Sequence, residues 1–286
     1  MATVATSSLP VRRVWSPALL KRVASALVLL PVFLLIVVKA PGWVFNILVL
    51  AASAAALWEF LRMLEHGGRP VYRGLGLAIG TTVTAAFAAS RLLDPLVLPA
   101  LAVVVAVAAV LIAPVRQGAP ATEAVANTLL AIMYVGWLLG FGILLHHTSP
   151  LGAELVLFVV GVTWVGETSA YLVGSAIGRH KLAPVISPRK TVEGALAQLV
   201  ASIGFGAILG AWLLPSCGVL LAVAAGALLG VVGQVGDLVE SAIKRSVGTK
   251  DTGGLIPGHG GMLDRVDSLL FNLPAYYYFT LMVGCR

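Results

Sequence analysis

"GVLLAVAAGALLGVVGQVGDLVESAIK", residues 218–244, begins as a segment suited to lipid and ends as one suited to water. Its first 19 residues carry no charge, and about 20 apolar residues rising 1.5 Å each cross the roughly 30 Å core of a bilayer. Asp237, Glu240, Ser241 and Lys244 then follow at i, i+3, i+4 and i+7. In a helix that spacing puts two acids, a hydroxyl and an amine on one face as the segment leaves the membrane.

The same apolar signature recurs on both sides of this stretch. It predicts spans near 23–40, 43–64, 74–90, 96–113, 124–145, 153–175, 192–214, 218–244 and 264–284. Continuous runs rather than period-two alternation favour helices over a barrel. With 59% hydrophobic and 11% charged residues in 286, the composition is far from that of a soluble domain. The expected fold is therefore all-α: a polytopic integral membrane protein with about nine transmembrane helices. Residues 1–22 form an N-terminal cytosolic segment and 23–286 one membrane domain, with 23–150 mainly scaffold and 151–286 carrying the polar clusters. The absence of an internal repeat weighs against a transporter.

With the N-terminus inside, 16 of the 19 Lys and Arg fall on the cytosolic side, leaving Lys39, Arg91 and Arg286 outside. That asymmetry is what the positive-inside rule expects, and it accounts for the net charge of +7 without nucleic acid as a partner. Arg12, Arg13, Lys21 and Arg22 precede the first apolar run, which reads as a retained signal anchor. Cys217 and Cys285 show no metal spacing and read as ordinary packing residues. Trp43, Trp58 and Tyr276 to Tyr278 read as interface aromatics, His146 and His147 carry no assigned role, and Glu59 with Arg62 reads as a local helix pair.

Polar chemistry concentrates after Trp164. Past Lys244 comes "RSVGTKDTGGLIPGHGGMLDRVDS", residues 245–268, in which Lys250, Gly253, Gly254, Gly258, His259, Gly260 and Gly261 make a glycine-rich cationic loop. Glycine lets backbone N–H groups approach an anion, so the loop is suited to phosphate. Asp264, Asp267 and Ser268 then repeat the i, i+3, i+4 spacing at the start of the last span. Carboxylates on two helix ends suit Mg²⁺, which keeps sites for water and phosphate. Upstream, "SPRKTVEG" offers Ser187 as an N-cap with Pro188 at the first helical position, presenting Arg189 and Lys190. Glu167 falls in mid-span, where a lone carboxylate is costly and a functional partner is the default.

The stretch from Ser241 to Asp267 resembles the signature of the CDP-diacylglycerol synthase (phosphatidate cytidylyltransferase) family, S-x-x-K-R-x(4)-K-D … H-G-G-x-x-D-R-x-D. Ser241, Lys244, Arg245, Lys250, Asp251, His259, Gly260, Gly261, Asp264, Arg265 and Asp267 all match it. "GDLVES" and "SPRKTVEG" are also similar, and the likeness extends over about the last 120 residues. The resemblance implies the reaction of CTP with phosphatidate to give CDP-diacylglycerol and pyrophosphate, in a cavity reached by nucleotide from the cytosol and by lipid from the bilayer; the lack of a transit peptide favours a bacterial plasma membrane. It implies Asp237 and Asp264 as Mg²⁺ ligands, with room for a second cation. Lys244, Lys250 and Asp267 join them as catalytic residues, and Ser187, Arg189, Lys190, Ser241, Arg245, Asp251, His259, Gly260, Gly261 and Arg265 bind substrate. Glu167, in "WVGETSAY", stands where the family usually has Asp and is a further candidate ligand. Expected partners are CTP, phosphatidate and the bilayer, with a homodimer allowed. A CTP-dependent polyprenol or phytol kinase and a transporter remain the alternatives.

Overall fold

The computed structural model of the chain describes residues 17–89, 97–112, 121–148, 150–254 and 260–285. The expected apolar runs are helices α1 (Pro17–Lys39), α2 (Gly42–His66), α3 (Arg73–Ala88) and α4 (Val97–Ile112) in the first part of the chain. A fifth rod consists of α5 (Ala121–Ala131), a π-helical turn (Ile132–Trp137) and α6 (Leu138–His147). Then follow α7 (Gly152–Ile177), α8 (Val192–Leu213), α9 (Val219–Ser246) and α10 (Leu263–Val283). Within the described residues, five rods are long and apolar enough to cross a bilayer: Gly42–His66, Thr122–His147, Gly152–Ile177, Val192–Leu213 and Val219–Ser246. The protein is an all-α integral membrane protein. A 16-residue helix such as α3 or α4 is only about 24 Å long.

Large apolar side chains face outward all round the bundle, among them Val200, Ile208, Leu220 and Met282. In a protein surrounded by lipid this is the solvated surface. Inside, Phe60, Phe87, Phe141, Phe158 and Tyr276 are fully buried. Tyr276 lies in the core, stacked on Phe158 with centroids 5.1 Å apart, and Tyr277 is buried beside Phe141. These two tyrosines are therefore not interface aromatics.

Helices α7, α8 and α9 pack closely because small residues line their contacts. A Cβ at Gly166 on α7 would meet Cγ of Gln198 on α8 at 3.2 Å, and one at Gly226 on α9 would meet Cα of Ile203 at 3.0 Å. With little hydrophobic drive between helices in lipid, such backbone approach is the main source of packing energy.

Three local expectations are corrected. Residues around Ser187 and Pro188 form a strand, not a helix start: β1 (Lys181–Ala183) pairs antiparallel with β2 (Ser187–Thr191), Lys181 opposite Thr191. The cap of α8 is Thr191, whose hydroxyl accepts from Gly194 N at 3.1 Å. Pro188 can occupy this strand because a two-stranded hairpin leaves an edge where no donor is needed. Glu59 is buried at 4% exposure and reaches across the bundle to α10, as described below. Cys217 and Cys285 form a disulfide with Cα atoms 5.3 Å apart. The turn between α8 and α9 meets the end of α10 there, 68 residues away in sequence.

A crosslink closing a loop of that length limits the unfolded chain. The Cys217→Ser/Cys285→Ser variant is expected to lose about 2–4 kcal/mol of stability, read as a lower melting temperature in detergent. An unchanged melting temperature would mean the crosslink adds nothing to the packed bundle.

Candidate active site at the charged end of α9 and α10

The face anticipated on α9 is present, and α10 supplies its counterpart. Lys244 Nζ lies between helices, bonded to Glu240 of its own helix and to Asp264 Oδ1 of α10 at 2.9 Å. All three side chains are largely buried, at 13%, 0% and 13% exposure. Two carboxylates flanking one ammonium offset much of its desolvation, whereas removing one partner would strand a buried charge.

Asp264 organises the loop before α10. Its Oδ2 accepts from Thr252 Oγ1 at 2.9 Å, Thr252 N at 3.3 Å and Gly261 N at 3.2 Å. Behind it Glu59 Oε2 accepts from Leu263 N at 2.9 Å, giving the first turn of α10 an acceptor and a negative charge. A Cβ at Gly253 would stand 2.7 Å from Glu59 Oε1 and one at Gly261 2.6 Å from Oε2. These glycines are therefore required where the loop folds over a buried carboxylate. Gly260 has φ +90°, a conformation that favours glycine.

Asp237, Glu240 and Asp267 form a second acidic group. Each brings one carboxylate oxygen within 4.8 Å of the others. Lys190 Nζ, delivered by β2, pairs with Asp237 Oδ2 at 2.8 Å, and Ser268 N donates to Asp267 Oδ1 at 2.6 Å. Oxygens at this separation repel one another unless positive charge lies between them. Glu240 Oε1 is buried with no hydrogen-bond partner among the described residues. An all-oxygen donor set with an unused buried acceptor fits a hard divalent cation. The sequence pointed to Asp237 and Asp264 for that role; the structure groups Asp237 with Glu240 and Asp267, and bonds Asp264 to Lys244 and Thr252.

A cavity of about 710 Å³ opens beside these groups. It is lined by Ser187, Pro188, Arg189, Ser241, Lys244, Arg245, Lys250, Asp251, Gly253, Gly260, Asp264, Arg265 and Asp267, all singled out from the sequence. Gly261 is packed behind them on Glu59, and His259 lies outside the described residues. Arg245 ties the hairpin to the loop, donating to Ile186 O and Thr249 O at 3.2 Å each.

A second cavity, about 450 Å³, lies between α7, α8 and the hairpin. Glu167, Lys190 and Asp237 line it with Tyr171 and Leu182, and Arg189 borders both cavities. Glu167 is half-buried and lies within the electrostatic influence of Asp267, Asp237 and Arg265, so it faces α10 rather than lipid. Sequence reasoning missed Glu59 and Thr252 as parts of this assembly. Glu59 had a signal, a carboxylate among apolar neighbours, but its partner lies 204 residues away.

Fold and site together define a class: an integral membrane protein that gathers cations and carboxylates at one end of its bundle. A model of the cytidylyltransferase family matches residues 20–283, and the chain belongs to that family. The phosphatidate cytidylyltransferases of Staphylococcus saprophyticus and Staphylococcus haemolyticus are 43% and 40% identical to it over 146 residues, 51% of this chain and 55% of each of theirs. The uncharacterized protein YnbB of Escherichia coli (strain K12) is 43% identical over 153 residues, 53% of this chain and 50% of that protein. The chain spans about half the length of the curated relatives it matches.

Replacing Glu59 by Leu keeps its bulk but leaves the Leu263 N–H buried without this acceptor. The Glu59→Leu variant is expected to lose about 1–3 kcal/mol and to show faster amide exchange at Leu263. Wild-type exchange there would mean that Glu59 does not hold the start of α10.

Proposed function

We propose that the protein is a phosphatidate cytidylyltransferase: phosphatidate attacks the α-phosphorus of CTP, giving CDP-diacylglycerol and pyrophosphate. The observation that carries this reading is the pair of cavities meeting at Arg189 and the carboxylate group. The larger, with Arg189, Lys244, Arg245, Lys250 and Arg265 on its wall, suits a triphosphate. The smaller reaches the outer surface of the bundle at Tyr171, 74% exposed, and suits a phosphate attached to acyl chains. One substrate then enters from water and the other from the bilayer.

A phosphatidate oxygen forms the new P–O bond, the α–β bridge P–O bond breaks, and its electron pair leaves with pyrophosphate. Phosphatidate arrives ionised, so no general base is needed. Every participant is anionic, and catalysis rests on charge neutralisation and alignment. Lys190 and Arg189 hold the attacking phosphate where the cavities meet. Lys244, Lys250 and Arg265 hold the β- and γ-phosphates, with Ser187, Ser241, Asp251 and the Gly260 backbone completing the nucleotide site and Gly261 holding Asp264 behind it. Asp237, Asp267 and Glu240 would hold Mg²⁺, with Glu167 facing them from α7 and Asp264 fixing Lys244. When bound, the ion supplies positive charge to the α-phosphate and the leaving group.

The 16-to-3 distribution of Lys and Arg supports placing the charged end in the cytosol of a bacterial cell. The disulfide at the opposite end supports an oxidising exterior there.

Sealed vesicles test reaction and placement together. Inverted vesicles given α-labelled CTP and phosphatidate are expected to form labelled CDP-diacylglycerol with equimolar pyrophosphate, and right-side-out vesicles to form none. Transfer of the γ-phosphate to a polyprenol or phytol would establish the kinase instead. Turnover only in right-side-out vesicles would reverse the topology.

A further inference from the structure

The fifth rod departs from α geometry over Ile132–Trp137, a π-helical turn. Helix α3 holds it: Thr84 Oγ1 donates to Gly136 O at 2.8 Å. A Cβ at Gly136 would come within 2.6 Å of Gly80 O. Extra residues in a turn re-aim the side chains they carry, and such turns recur at functional sites. The side chain in the middle of this one is Tyr134.

Tyr134 is 6% exposed. Its ring packs against Phe60 at 5.5 Å and Phe271 at 6.2 Å between centroids. Phe60 follows Glu59 on α2, and Phe271 lies one turn beyond Asp267 on α10. The ring is therefore packed between the elements that carry Glu59 and Asp267. Tyr134 lies within the electrostatic influence of Glu240, Asp267 and Asp237, the same three that form the acidic group. Its hydroxyl has no hydrogen-bond partner among the described residues, and neither has Glu240 Oε1.

A buried hydroxyl without a partner is costly, and so is a buried carboxylate oxygen. One water between the two would satisfy both, donating to Glu240 Oε1 and accepting from the phenol. We infer that Tyr134 is a positioning residue that acts through Glu240: its hydroxyl, through that water, fixes Oε1 while Lys244 holds Oε2, and together they set the orientation in which the carboxylate meets the bound cation. The ring alone would serve packing, and Phe would do that equally well. The hydroxyl is what the acidic group requires. This inference rests on the proposed cation site, and it assigns Tyr134 to cation affinity rather than to contact with either substrate.

Direct binding of Mn²⁺ to the full chain in detergent, followed by electron paramagnetic resonance of the free ion without nucleotide or lipid, separates the two levels. Wild-type protein is expected to bind Mn²⁺, and Asp237→Asn to weaken it; failure of either removes the cation site and this inference with it. Given that site, Tyr134→Phe is expected to raise the Mn²⁺ dissociation constant roughly 10-fold or more, the usual effect of losing an outer-shell partner. Its melting temperature in chelator should stay at the wild-type value. Because the hydroxyl acts through Glu240, Tyr134→Phe combined with Glu240→Gln should bind no more weakly than Glu240→Gln alone. Wild-type Mn²⁺ affinity in Tyr134→Phe, or full additivity in the double variant, would overturn the inference.

Discussion

An ammonium group buried between two helices sets the terms for this protein. Lys244 can stay charged at the edge of an apolar bundle only while Glu240 and Asp264 both reach it, and those residues belong to different helices. Helix α10 must therefore stand at one depth against α9. The backbone permits it: a Cβ at Gly236 would lie 3.0 Å from Asp267 O, and one at Gly233 2.9 Å from the Asn272 amide nitrogen. Buried ion pairs add little net stability, but a misaligned one is heavily penalised. Here the penalty excludes other registers of α9 against α10, and the register that survives brings Asp237, Glu240 and Asp267 together.

The remaining elements hold this junction from outside. Glu59 on α2 grips the start of α10, and the glycine loop folds over it because Gly253 and Gly261 have no side chain to collide with the carboxylate. The hairpin is fixed at its base by Glu193, which accepts from Arg179 N and from His180 N and ring Nδ1. From there β2 delivers Arg189 to the edge of both cavities and Lys190 to the smaller. The first spans, which look like inert scaffold in the sequence, contribute Glu59 and the π-helical turn.

Features legible in the sequence are those written within one element. The helix of residues 192–213 was readable from its unbroken apolar length, and the polar face of α9 from the spacing of Asp237, Glu240, Ser241 and Lys244. The glycine-rich cationic composition of the loop before α10 was readable because its glycines, cations and acids are contiguous. Features that depend on remote partners were not. Glu59 meets Leu263 across 204 residues, and Cys217 meets Cys285 across 68; neither spacing has a period to betray it. Ser187 and Pro188 fit a helix start locally, and only pairing of Thr191 with Lys181 turns them into a strand. Which α10 aspartate joins Asp237 and Glu240 in one group depended on the rotation of α10, which the Lys244–Asp264 bond constrains.

The central claim is that this register creates a divalent-cation site from Asp237, Glu240 and Asp267. Anomalous scattering from crystals of the protein grown with Mn²⁺ tests it most directly. A peak is expected in direct coordination with carboxylate oxygens of those residues, with Asp264 still bonded to Lys244. A peak elsewhere, or one coordinated by Asp264 after it has released Lys244, would contradict it.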